Sequence, residues 1–127
     1  MKYYICYSKE DQKQANRIKD LLCYENVGFV DLSQDFYESD ILEKIMNEID
    51  SSDILIALHS YSFKNSLLCN IQLVYASKKV EKLWCIPIDS AVPDRAFATE
   101  FKRSNFTHTK SFSGSVKQIL DAEKQRG

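Results

Sequence analysis

The sequence predicts an α/β fold of flavodoxin-like form, an open parallel β-sheet of about five strands with helices on both faces. Three observations predict it. Apolar runs alternate with helical 3.6-residue patterns at about 25-residue intervals, the signature of repeated βαβ crossovers. One run, 53–59 (DILIALH), is apolar almost throughout, as in strands buried on both faces. A chain of 127 residues buries about two-thirds of its unfolded surface, enough for one core. Residues 1–127 are therefore expected to form a single domain.

Each element has its own justification. Residues 2–7 (KYYICY) combine aromatic and β-branched side chains and read as a buried strand. Ser8 opens a helix, with Asp11 placed to reach back as a variant capping box, and Ala15, Ile18, Leu21 and Leu22 form its apolar stripe. Gly28 marks the turn into a second strand at 29–32 (FVDL), and a polar loop follows over 33–39. Asp40 caps a helix whose stripe is Ile41, Leu42, Ile45, Met46 and Ile49. The run 53–59 is the third strand and 61–65 a loop. Asn65 or Ser66 starts the next helix, which runs through Leu68, Ile71, Tyr75 and Ala76. Residues 83–88 (LWCIPI) form a fourth strand with its proline near the end. Between 89 and 110 the pattern is weakest, with a short helix around 94–103 and a weak strand near 106–109. Ser113 begins a terminal helix carrying Val116, Ile119, Leu120 and Glu123.

Composition excludes several functions. The only glycines are Gly28, Gly114 and Gly127, so neither a G-x-G-x-x-G nor a G-x-x-x-x-G-K phosphate loop exists. Formal charge is −1, against a generally basic nucleic-acid binder. The balance hides an asymmetry: residues 1–63 carry 12 acidic and 6 basic side chains (−6), and 64–127 carry 6 acidic and 11 basic (+5). Opposite charge at the two ends favours salt-sensitive self-association. Cys6, Cys23, Cys69 and Cys85 are widely spaced and form no C-x-x-C or Cys/His ligand set, so no structural metal is expected. No apolar run approaches about 18 residues and no secretory leader pattern opens the chain, so a cytoplasmic location off the membrane is expected.

In parallel sheets of this kind, right-handed crossovers leave ligands in the crevice beyond the carboxyl ends of the strands. Residues 7–9, 31–36, 59–65 and the start of the helix at 66 therefore share one rim. At that rim the sequence resembles a known family. Residues 4–11 (YICYSKED) resemble the F-I-S-Y-S-x-x-D opening of Toll/interleukin-1 receptor (TIR) domains. Residues 28–31 (GFVD) resemble the family's second strand, and 33–40 occupy its BB loop. The stretch 49–60 (IDSSDILIALHS) is similar to I-x-x-S-D-x-x-I-x-x-x-S, 66–76 (SLLCNIQLVYA) to the S-x-W-C-x-x-E-L-x-x-A helix, and 83–88 to the I-I-P-I strand.

The resemblance implies a prokaryotic, Thoeris-like antiphage TIR protein that cleaves the nicotinamide–ribose bond of NAD⁺ and makes a nucleotide signal, with NAD⁺ as substrate and no other cofactor. It places Gln72 where enzymatic members carry their catalytic Glu, and Leu68 where many carry Trp. That bond breaks through a cation-like sugar which a nearby carboxylate stabilises. A neutral amide keeps the shape and loses the charge, so an impaired enzyme is implied. Cys69, Gln72 and Ala76 share one helix face, where a polar side chain is poorly explained by core packing. The substrate-binding residues implied are Tyr7, Ser8, Lys9, Asp35, Phe36 and Cys69. Tyr7 is placed to stack on nicotinamide or adenine, Ser8 also serves as a helix cap, and Cys69 is a small buried residue rather than a nucleophile. His59 is read as structural. By the resemblance a neighbouring protomer's BB-loop region completes the site, so the expected partner is a second copy in head-to-tail, filament-forming contact. The alternative is a non-catalytic scaffold acting through homotypic contacts. A phosphoacceptor receiver domain is disfavoured, because residues 6–8 (CYS) lack acidic groups at the end of the first strand.

Overall fold

Six consecutive buried residues, Ile54 to His59, form the strand around which the rest of the protein is arranged. The computed structural model describes residues 1–30, 38–92, 107–109, 112 and 114–126. In chain order its elements are β1 (Lys2–Cys6), a 3₁₀ turn (Lys9–Asp11), α1 (Gln12–Leu21), β2 (Asn26–Gly28), α2 (Glu38–Asp50) and β3 (Ile54–His59). There follow α3 (Tyr61–Lys64), α4 (Leu67–Ala76), β4 (Lys82–Pro87), β5 (Thr107–His108) and α5 (Ser115–Arg126). The five strands run in the order β2-β1-β3-β4-β5 and every pairing is parallel. The flavodoxin-like open sheet predicted from the sequence is the observed fold.

Successive side chains of a strand point to opposite faces, and in-register parallel partners share a face. Tyr4 and Cys6 of β1 meet Gln72 and Cys69 of α4, so α4 and the neighbouring α2 cover that face. Tyr3 and Ile5 point the other way, in register with Ile54 and Ile56 of β3 and, beyond Ile56, Trp84 of β4. There the Trp84 indole N–H donates to Glu123 of α5 at 2.8 Å, and α1 and α5 border a common groove. Each helix turns a stripe inward: Ala15 and Ile18 from α1, Ile45 and Ile49 from α2, Leu73 and Ala76 from α4, Val116 and Ile119 from α5. A fully buried Leu or Ile contributes about 1.5–3 kcal/mol, so these stripes rather than helix propensity hold the helices to the sheet.

Several boundaries differ from the sequence expectation. The second strand lies at Asn26–Gly28, ahead of 29–32, and Gly28 is a strand residue paired with Tyr4 rather than the turn before it. Its missing side chain makes room for the Glu48 carboxylate, which a Cβ there would strike and which pairs with Lys2 at 2.8 Å. Residues 31 and 32 lie outside the described residues. The first helix begins with a 3₁₀ turn, and Asp11 does not cap back onto Ser8: its carboxylate accepts from the Ser60 hydroxyl. Leu21 is exposed although Leu22 is buried. The second helix starts at Glu38, so Asp40 lies inside its first turn. Residues 61–64, expected as loop, form α3, because Ser60 caps it by accepting from the Phe63 N–H at 3.0 Å. The weak strand near 106–109 is β5. The terminal helix starts at Ser115, after Gly114 turns the chain at φ 78°. The helix expected around 94–103 and the start expected at Ser113 fall outside the described residues.

Candidate functional site

The chain leaves β1 to build β2 on one side and returns to build β3 on the other, so β1 and β3 flank the topological switch point, where parallel sheets open a crevice. A cleft of about 590 Å³ lies there, lined by Tyr7, Ser8, Lys9, Glu10, Tyr61, Ser62, Asn65, Ser66, Leu68 and Cys69. These come from the end of β1 and its 3₁₀ turn, from α3 behind β3, and from the start of α4. Clefts holding small molecules measure about 300–1,000 Å³.

The 3₁₀ turn presents two opposite charges side by side, Lys9 and Glu10, both exposed. The buried Ser8 hydroxyl donates to the Glu10 carboxylate. That bond, with a backbone hydrogen bond and Lys9 nearby, holds the Glu10 carboxyl below its ordinary range, so it is an anion at neutral pH. Asp11 behaves oppositely. Burial raises its carboxyl, Asp89 and Glu10 add to the rise, and the Ser60 hydrogen bond only partly offsets it. Across the cleft, Ser66 caps α4 by accepting from the Cys69 N–H at 3.2 Å. The amino end of α4 thus faces the void and favours anionic ligand groups there. Cys69 sits against the wholly buried Cys6; burial pushes the Cys6 thiol up, and its hydrogen bond lowers the Cys69 thiol.

Of the residues singled out from the sequence, Tyr7, Ser8, Lys9 and Cys69 come together in this cleft. Tyr7 is committed on two sides: its hydroxyl donates to the Val30 carbonyl at 2.6 Å and its ring stacks on Phe29 at 5.3 Å. Asp35 and Phe36 lie outside the described residues. Gln72 is placed otherwise than expected. Its side chain is 2% exposed and does not line the cleft. Its Oε1 accepts the Tyr4 hydroxyl at 2.7 Å and its Nε2 donates to the Leu68 carbonyl at 3.3 Å. The face shared by Cys69, Gln72 and Ala76 is indeed one buried face, and the tyrosine beneath it explains the polar residue there. His59 is buried with its ring tilted against Phe63.

Tyr61, Ser62 and Asn65 line the cleft from the 59–65 stretch that the sequence places at this rim, whereas sequence reasoning missed Glu10. The helical form of 61–64 had a signal in the sequence: Ser60 followed three residues on by Phe63 is a cap and an apolar anchor, which turns the supposed loop into a helix facing the crevice. Among the described residues, no group of three or more His, Cys, Asp and Glu is placed to hold a metal ion, and no helix is long and apolar enough to cross a membrane.

Comparison with known proteins agrees with this architecture. Among solved structures, a CMP N-glycosidase of Clostridium botulinum, BcmB, superposes with a TM-score of 0.68 at 13% identity, over 94% of this chain and 98% of that one. The TIR domain of the Toll-related receptor TRR-2 from Hydra magnipapillata superposes with a TM-score of 0.66 at 21% identity, over 98% of this chain and 94% of that one. At those identities the likeness is one of fold. Among curated protein sequences none matches. The family model described as TIR domain matches residues 4–120, reaching all five strands of the sheet and containing the whole cleft lining, so the chain belongs to the TIR domain family.

Proposed function

We propose that the cleft at the β1/β3 switch point takes NAD⁺ and that the chemistry it serves is cleavage of the nicotinamide–ribose bond. The observation that carries this is the convergence of Tyr7, Ser8, Lys9 and Cys69, the positions implied by family resemblance, on one crevice of nucleotide-binding size. Lys9 and the amino end of α4 suit a diphosphate, and the open end of the cleft suits a sugar. The BcmB neighbour is named as an N-glycosidase acting on CMP, so this fold accommodates scission of a base–ribose bond. Gln72 contributes an interior hydrogen bond and no charge, consistent with a slow enzyme. The biological setting we propose is nucleotide signalling in bacterial antiphage defence, with copies of the chain assembling head to tail through their oppositely charged halves. Isothermal calorimetry with NAD⁺ and chromatographic assay of released nicotinamide test the proposal together. Binding accompanied by slow release is the expected result; no binding and no release, in dilute or concentrated protein, removes the enzyme reading.

A second reading has its own support. Leu67, Ile71 and Val74 recur along α4 and are 76%, 37% and 42% exposed, and with Met46 and Tyr75 they line a shallow apolar groove beside Lys78. An apolar helix face of this kind suits a scaffold that works by docking on other TIR domains. Light scattering across salt concentration separates the two modes of assembly. Charge-driven association weakens as salt rises, whereas association through the α4 face does not.

A further inference from the structure

We infer that Glu10 supplies the carboxylate that faces the reacting sugar in this chain. The inference rests on the proposed N-glycosidic chemistry and assigns it a residue that the sequence resemblance did not. Three observations carry it. Among the described residues that line the cleft, Glu10 is the only carboxylate, on the 3₁₀ turn that forms the wall at the carboxyl end of β1. Gln72 is unsuited to the task, being uncharged, closed to solvent and bonded to Tyr4 and Leu68 inside the fold. Asp11, the next carboxylate along the chain, is taken by Ser60 and lies outside the cleft lining.

Chemistry asks for an anion at this point. As the C1′–N bond breaks, its electron pair goes to the positively charged ring, which leaves as neutral nicotinamide, and the ribose becomes a cation-like species. Water then bonds to C1′ and loses a proton, giving ADP-ribose, nicotinamide and one proton overall. A fixed anion beside the sugar stabilises the cation and can accept the water's proton. The Ser8 hydroxyl donating to Glu10 orients the carboxylate and, with Lys9 beside it, keeps it ionised.

The test compares the intact chain with Glu10→Gln, which preserves shape and removes charge, and with Glu43→Gln on the outer face of α2 as a control for net charge. Nicotinamide release is expected to fall about 10²- to 10³-fold in Glu10→Gln and to stay unchanged in Glu43→Gln. A second readout needs no turnover. NAD⁺ carries a positive nicotinamide ring and NADH a neutral one, so calorimetry should show the intact chain preferring NAD⁺ and Glu10→Gln losing that preference. Release within about twofold of the intact chain in Glu10→Gln, or an unaltered NAD⁺/NADH preference, overturns the assignment and leaves the proposed function standing. If the intact chain releases nothing yet shows a preference that depends on Glu10, the carboxylate is placed correctly and the proposed reaction is what fails.

Discussion

Two polar pairs only a few residues apart on β1 and its turn behave as opposites. Tyr4 and Gln72 lie in the interior, each almost closed to solvent and each serving as the other's hydrogen-bond partner. Ser8 and Glu10 lie at the rim, where a buried hydroxyl props up an exposed carboxylate that borders the cleft. The interior pair satisfies groups that burial would otherwise penalise, and its value is to the fold. The rim pair leaves an ionised oxygen bordering the cleft, and under the proposed function its value is to a ligand. The difference teaches that polar side chains close together in one fold can be divided between the interior, where Gln72 is closed against Tyr4, and the rim, where Glu10 is exposed.

The most severe challenge to this comparison is to return a carboxylate to the interior. Gln72→Glu puts an acid where burial penalises its charged form, so its carboxyl is held above the ordinary range. A group whose folded pKa is raised adds stability below the unfolded carboxyl pKa and loses it as pH rises through the folded value. The variant should therefore be destabilised by about 3–5 kcal/mol at pH 8 and recover on acidification, measured by urea unfolding across pH. Flat stability over that range would mean that the new side chain leaves Tyr4 for the cleft, and would hand the catalytic role back to position 72. A smaller effect comes from Tyr4→Phe, which leaves the buried Gln72 oxygen without the Tyr4 donor. That costs about 1–3 kcal/mol and leaves NAD⁺ affinity within about twofold, by denaturation and calorimetry. Loss of affinity in a variant that still folds would show that the interior pair shapes the cleft.

The same contrast explains what was legible in the sequence. β1, β3 and β4 were readable because strands covered on both faces by helices show up as unbroken apolar runs. α4 was readable because Ser66 caps it and Cys69, Gln72, Leu73 and Ala76 fall on one buried face. The direction of Gln72 was misread for want of one fact that periodicity does not carry: β1 aims a tyrosine hydroxyl at that face. Tyr4 in an inward strand position was itself the clue, since a buried phenol seeks an acceptor. β2 was placed three residues late because Gly28 signals a turn more often than the tight strand–helix approach that Glu48 demands here. Glu10 went unnoticed because, in sequence, a charged residue beside a helix start looks like surface, and only the 3₁₀ turn shows that it borders a void.

Asp11 offers the finest test of how the rim is divided. It follows Glu10 directly, yet burial raises its carboxyl while hydrogen bonding lowers that of Glu10. The pair thus offers one oxygen to the cleft and uses the other to tie the 3₁₀ turn to the cap of α3 through Ser60. Because the Asp11 pKa is raised in the fold, its ionisation works against stability: the contribution is full below about pH 4, the unfolded value, and disappears as pH climbs past the folded value. Asp11→Asn keeps an oxygen to accept from Ser60 and removes the titration. Its effect should be the smallest of the three, below about 1 kcal/mol at neutral pH given solvent screening. It should appear as a shallower fall in stability above about pH 4, in thermal unfolding recorded at half-unit pH steps. An unchanged slope would mean that Asp11 ionises freely and that the rim does not separate its two carboxylates.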